Sequence, residues 1–162
     1  MNQGESRRRS VVALLLVPAA IAVTAALLLL RLRMEPPTVP AYSLVAGDGG
    51  GEVLHPGGRF HLVVEPQGIV TGAVAARGFL LRGDEVEPWE APFTVDRDGS
   101  IHIDGPVDTL FAGVARGPCE VAVAVGRPET LPTAPRDVLR ARDAGAGDAA
   151  WRLVRERVVL GG

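Results

Sequence analysis

The sequence predicts a mainly β domain, a two-sheet antiparallel sandwich with one short inserted helix, joined to an N-terminal transmembrane helix. Three observations predict it. Residues 11–30 form an apolar run without a charge. A proline-rich stretch follows at 35–40, and beyond it the apolar pattern takes a period of two, broken by glycine-rich turns.

The apolar run reads VVALLLVPAAIAVTAALLLL, twenty residues of which twelve are Leu, Ile or Val. As a helix it spans about 30 Å, the thickness of a bilayer's hydrocarbon core. Each Leu, Ile or Val contributes roughly −0.3 to −0.6 kcal/mol to insertion, which outweighs Pro18 and Thr24. A soluble core helix needs a polar face, and this run has none. A cleaved signal peptide is the competing reading, because Ala20-Ile21-Ala22 fits the small-residue cleavage rule. Eight more apolar residues follow that site, so an uncleaved anchor is expected. Ser6-Arg7-Arg8-Arg9 resembles a twin-arginine signal, but Ser10 departs from that pattern. Arg7, Arg8 and Arg9 before the run, against Arg31 and Arg33 after it, place the N-terminus in the cytoplasm. The expected organisation is a cytoplasmic tail (1–10), an anchor in the inner membrane (11–30), a linker (31–41) and an extracytoplasmic domain (42–162).

Residues 35–40, EPPTVP, form a stiff spacer of polyproline character, about 15–20 Å long. Strands are then expected at 42–46, 59–65, 73–82, 86–89, 93–96, 100–104, 119–126 and 151–160. In the second of these Phe60, Leu62 and Val64 alternate with polar side chains, and Cys119, Val121, Val123 and Val125 share one face in the seventh. Asp98-Gly99 marks a hairpin. Gly49-Gly50-Gly51, Pro56-Gly57-Gly58 and Gly83-Asp84 mark turns. Glycine and proline together number 33 of 162 residues, as suits a loop-rich β protein rather than a disordered chain. Thr133, Pro135 and Gly145 bracket the one expected helix, 136–143. Phe60, Leu62, Phe79, Leu81, Ile101, Ile103, Val121, Val123 and Trp151 are expected to be buried together.

The order of anchor, proline spacer and alternating strands, with the run LFAGVARGPCEVAVAV at 110–125, resembles the small membrane-anchored Ig-like sandwiches of bacterial envelopes. The resemblance implies an Ig-like domain. No functional residue carries over from it.

Charge excludes one class of function. Every basic side chain is arginine, and the residues after Arg33 hold 12 arginines against 18 acids, a net of −6. A domain of that sign has no electrostatic footprint for nucleic acid. The single cysteine, Cys119, rules out an internal disulfide and sits on an apolar strand face, where it reads as a core residue.

Chemistry is sparse. His61 and His102 fall on polar strand faces, but no spacing suits zinc or copper, and no metal or other cofactor is expected. Asp96-x-Asp98-Gly99 lacks the glutamate that closes a calcium loop. The acids Asp84, Glu85, Glu87 and Glu90 surround Trp89. A carboxylate pair of that kind serves glycosidases only when held across a cleft. Trp89 reads either as a plug at the sandwich edge or, with Glu87 and Glu90, as a contact for a partner protein or a sugar. The expected function is therefore a non-catalytic envelope module that binds or scaffolds another protein. The alternatives are a carbohydrate-binding or hydrolytic protein centred on Trp89, and a regulator acting through its transmembrane helix. The short tail before the anchor is too small to grip a cytoplasmic partner, which disfavours the regulator.

Overall fold

The computed structural model describes residues 39–47, 53–144 and 150–162. The expected anchor, residues 11–30, and the turn at 49–51 lie outside them. Among the described residues no helix is long and apolar enough to cross a membrane.

The described residues are mainly β and form two sheets. The strands are β1 (Tyr42–Gly47), β2 (Val53–Leu54), β3 (Arg59–Pro66), β4 (Ala75–Arg82), β5 (Glu85–Trp89), β6 (Phe93–Val95), β7 (Ile101–Pro106), β8 (Gly117–Gly126) and β9 (Trp151–Leu160). Two helices interrupt them, α1 (Val107–Leu110) and α2 (Pro135–Ala144). One sheet has the order β1-β3-β7-β6, the other β2-β9-β8-β4-β5. Neighbours are antiparallel except β2 and β9, which run parallel.

Each of the eight expected strands is present, with bounds shifted by at most two residues. The hairpin between β6 and β7 shows why Asp98-Gly99 marks a turn. The Gly99 N–H donates to the Asp96 carbonyl at 3.0 Å, and the Asp96 N–H donates to the Ser100 carbonyl at 2.9 Å. Gly99 has φ +91°, a left-handed conformation that a Cβ disfavours. The Asp98 carboxylate accepts the Ser100 N–H at 2.9 Å and completes the turn.

The expected core is buried, but in two places rather than one. Phe60, Leu62 and Val64 of β3 and Ile101 and Ile103 of β7 meet Leu80, Val121, Val123 and Val125 between the sheets. Phe79, Leu81 and Trp151 lie on the opposite, outer face of the five-stranded sheet with Ala122 and Ala124. The register fixes this division. Leu80 pairs with Val121 and Phe79 with Ala122, so successive β4 residues point to opposite faces. This part of the outer face is dry because α2 lies on it, with Val138 and Ala141, three residues apart on one helix face, turned toward the sheet.

Packing begins ahead of β1. Val39 is 1% exposed, and the Arg152 Nε–H donates to the carbonyls of Val39 (3.2 Å) and Pro40 (3.4 Å). The chain thus joins the domain beside the first residues of β9.

Candidate functional site

Trp89 is the residue that the sequence singles out, and its side chain is inside. It ends β5 opposite Gly78 of β4. A Cβ at Gly78 would stand 2.7 Å from the Trp89 carbonyl and 2.9 Å from its ring, so glycine there admits the tryptophan. The indole is 5% exposed. It stacks on Phe111 at 5.3 Å and 19° and meets Phe60 and Phe93 edge-on, each at 6.2 Å. Its N–H donates to the buried Leu110 carbonyl at 2.6 Å. That is the geometry of a plug. Glu87 and Glu90 remain exposed on the β5 edge and its outlet, but they do not bring the ring to the surface. The partners Leu110 and Phe111 belong to α1 and its cap, an element too short for any helical period to reveal.

The remaining candidates separate in the same way. His61 pairs with Asp104 and His102 with Val63 across β3 and β7, so both histidines lie on the outer face of the four-stranded sheet. His102 Nε2 lies 3.1 Å from an Asp96 carboxylate oxygen. Among the described residues no three His, Cys, Asp or Glu side chains are grouped to hold a metal ion. Asp96 and Asp98 belong to the hairpin turn. The Ser100 N–H holds the Asp98 carboxyl below its usual range. Cys119 is buried on the inner face of β8. Burial pushes its thiol up, with Arg82 pulling the other way, so the thiol keeps its proton.

A different site emerges on the outer face of the five-stranded sheet. The ten residues of α2 make a helix about 15 Å long, whereas ten-residue strands such as β8 and β9 run about 33 Å. The helix packs on Phe79, Leu81, Ala122, Ala124 and Trp151 and reaches the β4–β5 turn through Arg142, leaving the outer face of β8 and β9 beside Glu120 and Arg157 open. The open part is a groove of about 550 Å³. Exposed Pro118 and half-buried Val159 give it apolar surface, with Leu81 beneath.

Three arginines present their side chains here, Arg142 from α2 and Arg155 and Arg157 from β9, with Arg82 of β4 at the groove's edge. Alternation on β9 puts Arg155 and Arg157 on the same face, and the antiparallel register sets Glu120 of β8 opposite Arg157. Glu120 takes both guanidinium groups, at 3.5 Å from Arg155 and 3.3 Å from Arg157. Arg142 reaches the β4–β5 turn, donating to the Gly83 carbonyl at 2.5 Å and to Asp84 at 3.1 Å, and also pairs with Asp143. Arg82 donates to the Ala115 carbonyl. Arg142 is matched by Asp84 and Asp143, whereas Arg155 and Arg157 share the single Glu120, so the β9 side of the groove carries excess positive charge in a region of the chain whose net charge is −6. Ion pairs this open to water add little to stability. What the arrangement can do is hold a carboxylate-bearing ligand that also has an apolar surface. Sequence inspection misses it because its arginines come from three elements up to 75 residues apart.

No protein-family model and no curated protein sequence matches the chain.

Proposed function

We propose that this chain is a non-catalytic, membrane-anchored envelope module that binds another protein, with the arginine-lined groove as its contact face. The uncharged run at 11–30 supports the anchor, with the N-terminus in the cytoplasm and the domain outside it. Strand order supports an Ig-like sandwich. The order β1-β3-β7-β6 corresponds to A-B-E-D, and β9-β8-β4 corresponds to G-F-C, with β5 added beside the C position.

The observation that carries the binding function is the groove: a partly apolar concavity beside the last turn of α2 that presents Arg155 and Arg157. A hydrolytic or sugar-binding role centred on Trp89 has no surface to act through, since the indole is buried and its N–H is bonded to Leu110.

The test is a pull-down from detergent-solubilised membranes with the full chain and with Arg155→Glu/Arg157→Glu, identifying co-purifying proteins by mass spectrometry. Proteins recovered by the native chain and lost from the double variant are the expected result. Identical recovery, or recovery of nothing above a no-bait control, counts against the reading. Alkaline phosphatase fused after Gly162 is expected to be active; an inactive fusion with a fluorescent cytosolic counterpart reverses the topology.

A further inference from the structure

We infer that the groove takes an acidic segment of the partner protein, its carboxylates on Arg155 and Arg157 and an apolar side chain over Pro118 and Val159. This inference rests on the protein-binding reading and specifies its partner's chemistry.

Charge is the first ground. Glu120 accepts from two guanidinium groups, so one carboxylate is shared where two would fit. The Arg157 side chain is 85% exposed and keeps most of its donors toward solvent. An incoming carboxylate finds a bidentate partner there without displacing a buried bond. The −6 of the region after Arg33 repels acids elsewhere on its surface, so the groove is also where an acidic segment is steered.

Shape is the second ground. A free inorganic anion has no use for the exposed Pro118 and half-buried Val159 next to Arg157, whereas a peptide side chain removes that apolar surface from water.

The experiment uses the full chain in nanodiscs of zwitterionic lipid and three probes. These are a fluorescein-labelled peptide alternating glutamate with leucine, its lysine–leucine counterpart, and vesicles containing phosphatidylglycerol. The glutamate peptide is expected to bind, to weaken roughly tenfold as salt rises from about 50 to about 300 mM, and to weaken at least about tenfold in Arg155→Glu/Arg157→Glu. Arg155→Lys/Arg157→Lys is expected to retain part of the affinity, and Glu120→Gln, which frees both guanidinium groups, to tighten it several-fold. Melting curves of each variant establish that the domain is folded.

Four results overturn the inference: no binding of the glutamate peptide at low salt, equal binding of the lysine peptide, binding unchanged in the double glutamate variant, or displacement of the peptide by the anionic vesicles. If the double variant still recovers the native chain's partners from membranes, the protein-binding reading stands and the groove assignment falls. If the native chain recovers no partner yet binds the peptide through these arginines, the binding reading falls and the groove's preference stands.

Discussion

Replacing Trp89 by Ala tests whether this ring closes the core. The substitution removes a stack on Phe111 and two edge contacts, to Phe60 and Phe93. It also leaves the buried Leu110 carbonyl without the indole N–H that now reaches it at 2.6 Å. Truncating a buried tryptophan costs about 3–5 kcal/mol, and an orphaned buried acceptor alone about 1–3 kcal/mol. The truncation figure already covers part of the orphaned acceptor's cost, so its upper part, about 4–5 kcal/mol, is expected. For a unit spanning Pro37–Gly162, each kcal/mol moves the midpoint by about 3–5 °C. Trp89→Ala should therefore melt roughly 12–25 °C lower. Trp89→Phe keeps most of the ring volume and loses only the N–H, so about 1–3 kcal/mol and roughly 3–15 °C are expected. The assay is thermal denaturation of the full chain in detergent, followed by circular dichroism in the β-sheet band. A Trp89→Ala midpoint within about 3 °C of the native value would refute the plug.

Three further outcomes are expected. Val138→Asp puts an unpaired carboxylate where the side chain is fully buried against the outer face; amide exchange across α2 should accelerate while β3 and β7 stay protected, and unchanged α2 exchange would show the helix is not held by that contact. Burial raises the Glu156 carboxyl above its ordinary 4.5, so ionised Glu156 opposes folding above its folded value and ceases to do so below the ordinary one; Glu156→Gln should raise the midpoint at pH 7, by an amount that vanishes as pH falls below about 4.5, and a constant difference would assign the effect to packing. Cys119, buried and protonated, should react with a thiol reagent at pH 8 only as fast as the domain opens; labelling at the rate of a free thiol would place it at the surface.

The sequence alone determined where the strands are. Alternation needs only one wet face, and β7 and most of β3 have one: Phe60, Leu62, Val64, Ile101 and Ile103 turn inward while Arg59, His61, His102 and Asp104 meet solvent, with Val63 buried on the outer side of β3. Turn residues likewise act locally, as Gly99 does at φ +91°. The facing of β4 is a different matter. With α2 on one side and the four-stranded sheet on the other, Phe79, Leu80 and Leu81 are all buried, and a run dry on both faces carries no period to read. β2 and α1 are too short for any period. Trp89 is flanked by Glu87, Pro88 and Glu90 and looks wet; it is dry because Gly78 opposite lacks a Cβ and because Leu110 of α1, 21 residues on, supplies the ring's acceptor. The groove is the clearest case. Arg82, Arg142, Arg155 and Arg157 are ordinary charges along the chain, and only strand register and the length of α2 bring them to one uncovered patch.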